Sequence, residues 1–62
     1  MNIFVVMKGE MNEGGVIRGA FTTKKKAVTW IEDNFQDFFR NEGEDSWICG
    51  ADWITVQRVK VQ

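Results

Sequence analysis

Apolar and polar residues change period three times along this chain, and each change marks an element. Asn2 to Lys8 is rich in β-branched and aromatic residues and lacks helical spacing, which predicts a first strand. Ile3, Val5 and Met7 point one way along it and Phe4 and Val6 the other, as in a central strand covered on both sides. Gly9 to Gly15 is polar and too long for a two-residue turn, so a looser hairpin loop is expected. Val16 to Phe21 predicts a second strand, with Ile17, Gly19 and Phe21 on one face and Val16, Arg18 and Ala20 on the other. Glycine inside a strand marks a bulge or a close approach, and a helix lying over Gly19 would explain it.

The longest periodic stretch, Thr23 to Asn41, follows directly. At roughly 100° per residue, Ala27, Val28, Ile31, Phe35, Phe38 and Phe39 fall within about 120° of one another. Lys25, Thr29, Glu32, Asp33, Gln36 and Arg40 lie opposite, so the segment reads as an amphipathic helix that buries one face. Thr22 and Thr23 offer hydroxyls to the open N–H groups of its first turn, and Gly43 suits a helix stop. Its charges oppose the helix dipole. Lys24, Lys25 and Lys26 crowd the positive end, while Glu32, Asp33, Asp37, Glu42 and Glu44 follow toward the negative end. Either aromatic packing outweighs that cost or the charges serve a partner.

Asn41 to Ser46 is an acidic turn, Trp47 to Cys49 a short apolar patch, and Trp53 to Val61 a long strand-like run. In that run Ile54 and Val56 share one face and Val59 and Val61 the other. A bulge near Gln57 and Arg58 would bring both pairs to the core; the alternative is a strand apolar on both faces. The expected architecture is therefore α+β: one compact domain over residues 1–62, in the order β-β-α-β. A three- or four-stranded antiparallel sheet carries one amphipathic helix on one face, with Trp47 to Cys49 as the optional fourth strand. On this reading Phe4, Val6, Val16, Ala20 and Trp53 occupy the uncovered face and form a candidate surface for a homodimer or a partner protein.

Composition alters this picture in three ways. A 62-residue chain buries only about 60% of its unfolded surface, but five Phe and three Trp offset so thin a core. The single Cys49 forms no internal disulfide, and no basic start leads into a hydrophobic stretch, which points to the cytoplasm. No apolar run approaches the roughly 20 residues that would cross a membrane. Net charge is −1, yet it is segregated: residues 1–31 carry +3, residues 32–52 carry −6 and the last ten carry +2. This balance argues against nucleic acid as the partner. Stacking of bases on Trp30, Trp47 and Trp53 would need basic flanks, for which only Lys8, Arg18, Arg58 and Lys60 are placed.

Catalytic material is sparse. Without histidine, Ser–His and Cys–His systems are absent, Ser46 is the only serine, and Cys49 lies in an apolar patch with no nearby cation. Glu42, Glu44 and Asp45 lack the ligand pattern of a calcium loop, and Gly14–Gly15 with the lysines lacks phosphate-loop spacing. No enzyme, metal or cofactor is expected. Glu32, Asp33, Asp37, Glu42, Glu44 and Asp45 are instead either a solvated charge run or a candidate docking surface, spaced to imitate phosphates in a basic groove.

The series Ile3-Phe4-Val5-Val6, a glycine-bearing loop, Ile17-x-Gly19-x-Phe21-Thr22-Thr23-Lys24-x-x-Ala27 and Trp30-Ile31-Glu32 resembles a loose group of small proteins of phages and their bacterial hosts. The likeness covers about the first half of the chain, and its residues are mostly structural. It implies a β-β-α start and a phage or mobile-element setting, and no catalytic residues. The expected function is a non-enzymatic protein-binding module, an accessory or inhibitory factor docking on a host or phage protein. A nucleic-acid-binding module using the aromatic sheet face and a self-associating structural protein are the alternatives.

Overall fold

Asn2–Glu10 and Asp52–Lys60, nine residues each and far apart in the chain, pair antiparallel from Asn2 opposite Lys60 to Glu10 opposite Asp52. They are the two central strands. The computed structural model describes residues 1–61. Chain order is β1 (Asn2–Glu10), β2 (Val16–Phe21), α1 (Lys24–Asn34), β3 (Phe39–Arg40), β4 (Ser46–Cys49) and β5 (Asp52–Lys60). The strands form one antiparallel sheet in the spatial order β2-β1-β5-β4-β3. The α+β class holds, with five strands rather than three or four and the order ββαβββ. Trp47 to Cys49 pairs as part of β4, and β3 was not anticipated.

Directly opposed residues of neighbouring strands share a face, so the pairings sort the sheet into two sides. Val6, Ile54 and Trp47 join Ala27 and Ile31 of α1 in the buried core, with Phe4, Phe21, Val28, Trp30, Phe35, Phe38 and Val56 packed around it. This corrects the expected placement of Phe4 and Val6. Both lie beneath the helix, and Val6 is fully buried there. The cause is register: Phe4 stands opposite Phe21 and Val6 opposite Gly19, so the Gly19–Phe21 side, rightly assigned to the helix, brings them with it. Over Gly19 itself lies the ring of Phe21.

The helix starts as expected. Thr23 Oγ1 accepts from the Lys26 N–H at 3.1 Å. It ends earlier, at Asn34, where the Asn34 side-chain amide donates to the Trp30 carbonyl at 2.8 Å and Phe35 leaves helical geometry. Phe21, Trp30, Phe35 and Phe38 then form a chain of tilted and edge-on ring contacts 5.6 to 5.7 Å apart along the helix flank. A continued helix would forgo what the chain gains instead, the pairing of Phe39–Arg40 with Trp47–Ile48. Arg40 stands 5.1 Å over the Trp47 ring, and Phe39 is turned outward and 78% exposed. Gly43 adopts its positive φ in the β3–β4 turn, not at a helix stop.

The expected bulge near Gln57 and Arg58 is absent, because β1 pairs with β5 in unbroken register; β5 is apolar on both faces. The bulge lies in the β1–β2 pair, where Val6 opposes Gly19 but Met7 opposes Ile17, leaving Arg18 as the extra residue. Both sheet edges are thus blunted, one by a bulge with a charge and the other by a strand of two residues. Ile54→Ala, which opens a hole between Val6 and Trp47, is expected to cost about 2–5 kcal/mol in chemical denaturation, while Gln36→Ala changes stability by less than about 0.5 kcal/mol.

Candidate interaction surface

On the sheet face away from the helix, Ile3 opposes Val59, and Val5 stands between Ala20 and Gln57. The next row runs from Ile17 through Met7 and Thr55 to Ser46. A further row runs from Gly9 through Trp53 and Ile48 to Phe39. None of these cross-strand residues is charged. The pairings of the helix side, by contrast, contain Lys8, Glu10, Arg40, Asp52, Arg58 and Lys60. Arg18, the extra residue at the bulge, lies on the edge strand that borders this face. Ile17, Ile48 and Val59 are 67%, 45% and 42% exposed, so much of this apolar area meets solvent. It is the sheet's unpartnered side.

Trp53 is the best-fixed group on this face. Gly9 lies directly across from it, and its six-membered ring fills the space above Gly9 and Gly15 that a Cβ at either position would need. Its indole Nε1–H donates to the Glu10 carbonyl at 3.1 Å. The polar end is therefore satisfied within the chain, and what remains is apolar ring. Met11 N–H to the Ala51 carbonyl, at 2.7 Å, ties the same two loops together. Gly9 and Gly15 are thus required by the tryptophan, a role that the reading of the segment as a polar, looser hairpin loop missed; the signal available was two glycines and a distant Trp.

Of the five residues expected on the free face, Ala20 and Trp53 lie there, Phe4 and Val6 lie under the helix, and Val16 is exposed at the β2 edge opposite Lys8. The face also includes Ile3, Val5 and Met7, grouped together as expected but on the side away from the helix, Ile17, which the bulge at Arg18 separates from Gly19 and Phe21, and Ile48 and Val59.

The acidic candidates do not act alike. Asp45 is engaged by Lys24 Nζ at 3.1 Å and by Arg40 Nη2 at 2.8 Å. The hydrogen bond from Lys24 holds the Asp45 carboxyl below its ordinary pKa; burial, the next strongest influence, opposes it, and the Lys24 charge and Arg40 add to the lowering. Glu44 accepts from the Ser46 hydroxyl at 3.1 Å, and its carbonyl accepts from Arg40 Nε at 3.0 Å. The turn is internally bonded. Glu32, Asp33, Asp37 and Glu42 are exposed around the helix end and the turn. Among the described residues no group of three or more acidic, cysteine or histidine side chains is placed to hold a metal ion. Cys49 is a partly buried free thiol.

For stacking on nucleic acid the arrangement is poor. Trp47 is buried on the helix side and Trp53 lies on the other face, while Lys8, Arg58 and Lys60 belong to the helix side. A shallow groove of about 460 Å³ lies between Phe21 and Trp30, rimmed by Lys25, Lys26, Thr29 and Asp33. No helix among the described residues is long and apolar enough to cross a membrane. Comparison with protein-family models, with curated proteins and with solved structures gives no match.

Two outcomes follow from these contacts. Gly15→Ala is expected to lift the Trp53 ring, break its bond to Glu10 and cost about 1–3 kcal/mol, read as faster hydrogen exchange of that indole N–H together with a lower unfolding midpoint. Asp45→Asn is expected to remove about 0.5–1 kcal/mol at neutral pH, since the partners are exposed. Because folding lowers the Asp45 pKa, this stabilisation is complete above the unfolded pKa and is lost as pH falls through the folded one. Wild type and Asp45→Asn unfolding curves should therefore converge in acid.

Proposed function

We propose that this chain is a non-enzymatic protein-binding module whose working surface is the sheet face away from the helix. The observation that carries the reading is the sorting of strand charges: the cross-strand pairs on the helix side contain all six of those named above, and those on the open face contain none. A monomer has no reason of solubility to expose its uncharged side and no reason of stability to fill that side with Ile17, Ile48 and Val59. An interface has both, since its core is depleted in charge and built around anchored aromatic groups such as Trp53. The likeness of the first half to small phage and bacterial proteins supports an accessory role, docking on a protein of phage or host. The acidic end, with Glu32, Asp33, Asp37 and Glu42 free of the bonds that occupy Asp45, is a second surface for a basic partner.

The two surfaces respond to different substitutions. Tagged chain is used to capture bound protein from a lysate, own copies included. Ile48→Lys and Val59→Lys are expected to release what the wild type holds, while Asp37→Lys and Glu42→Lys retain it. Loss with the charge reversals and with raised salt, but not with the face variants, would assign the work to the acidic end. A wild-type chain holding nothing, not even itself, would overturn the reading.

A further inference from the structure

We infer that the first occupant of the open sheet face is a second copy of this chain, packed face to face about a twofold axis; this rests on the reading of that face as an interface. Three observations favour a copy over a different partner. The first is area. The chain exposes 4547 Å², about a tenth more than the roughly 4,100 Å² expected of a compact monomer of this mass. Strands of 9, 6, 9, 4 and 2 residues, at about 3.3 Å per residue and 4.8 Å per strand, cover roughly 500 Å² in projection. Two such faces together reach the approximately 1,000 Å² that marks a specific interface.

The second observation is charge. A twofold contact sets each residue against its own symmetry-related patch, so any net charge on the face would meet its like. The cross-strand pairs of this face carry none, and Arg18 stands at its edge, where it stays hydrated. A face with no charges also offers a foreign partner no electrostatic code to select it. The third is the state of Trp53. Its N–H is already bonded to Glu10, so two copies can bring their rings together without stranding a donor. Sheets stacked at about 10 Å would then share a layer of Ile48, Val59, Met7 and Trp53, a sandwich whose outer layers are the two helices.

Sedimentation and light scattering across the micromolar range test this. Wild type is expected at twice 7.2 kDa. Ile48→Lys and Val59→Lys, at exposed positions that leave the helix-side core untouched, are expected to weaken association roughly tenfold or more each, equivalent to at least about 1.4 kcal/mol, with unchanged far-ultraviolet dichroism. Thr29→Lys, on the exposed helix flank, should leave the dimer intact. A wild type that stays monomeric, or a dimer that survives both face variants, overturns the second copy. If such a monomer still captures a protein that Ile48→Lys releases, the open-face reading survives its loss; if neither capture nor mass responds to the face variants, both fall.

Discussion

The register between β1 and β5 is the constraint on which everything else depends. Because side chains alternate with a period of two, the pairing of Val6 with Val56 and of Lys8 with Ile54 decides which half of each central strand meets the helix. A slip of β5 by one residue against β1 would carry Ile54 to the open face and bring Trp53 under α1. Both faces of both strands are apolar, so hydrophobicity alone discriminates weakly between these registers. Two neighbours supply the remaining discrimination. The Trp53 ring fits only where Gly9 lies across from it, and the Phe21 ring lies over Gly19, opposite Val6.

One of the charges that oppose the helix dipole, Lys24, finds its explanation in a contact with the β3–β4 turn. Lys24 stands where the helix field disfavours it, at a cost of about 0.3–1 kcal/mol, and reaches Asp45, which Arg40 also holds. Arg40 in turn lies over Trp47 and bonds the Glu44 carbonyl. One acidic side chain thus links the helix start to the far edge of the sheet through exposed partners whose charge pairing salt screens, while the aromatic and backbone contacts remain. Lys8, 5.9 Å over Phe38, closes the other end of the aromatic chain in the same manner.

Local patterns were readable where one effect dominated. Val16 to Phe21 matched β2 residue for residue, Thr23 capped the helix, and Trp47 to Cys49 paired as a strand. The helix end was misread because Phe35, Phe38 and Phe39 satisfy helical periodicity; only the distant Trp47 and Ile48, which pair with Arg40 and Phe39, decide against it. The uncovered face was predicted to exist, but with Phe4 and Val6 on it, since nothing within β1 says which of its two apolar sides the helix takes. That information resides in the β1–β2 pairing and its bulge at Arg18. Gly19 signals a bulge or a close approach, and the bulge lies beside it; of the two readings of the phase change at Val59, a bulge or a second apolar face, the second holds.

The pairing of the chain's first strand with its last has a kinetic side. Asn2 meets Lys60 across almost the full length of the sequence, so the central pairing of the sheet closes a loop nearly as long as the chain. The hairpins β1–β2 and β4–β5 are local, but neither alone supplies α1 with the combined floor of Val6 and Ile54 that buries Ile31. Helix docking and sheet closure are therefore one event, and partial structures gain little before it. A polypeptide emerging in order from a ribosome lacks the Ile54 half of that floor until β5 has followed.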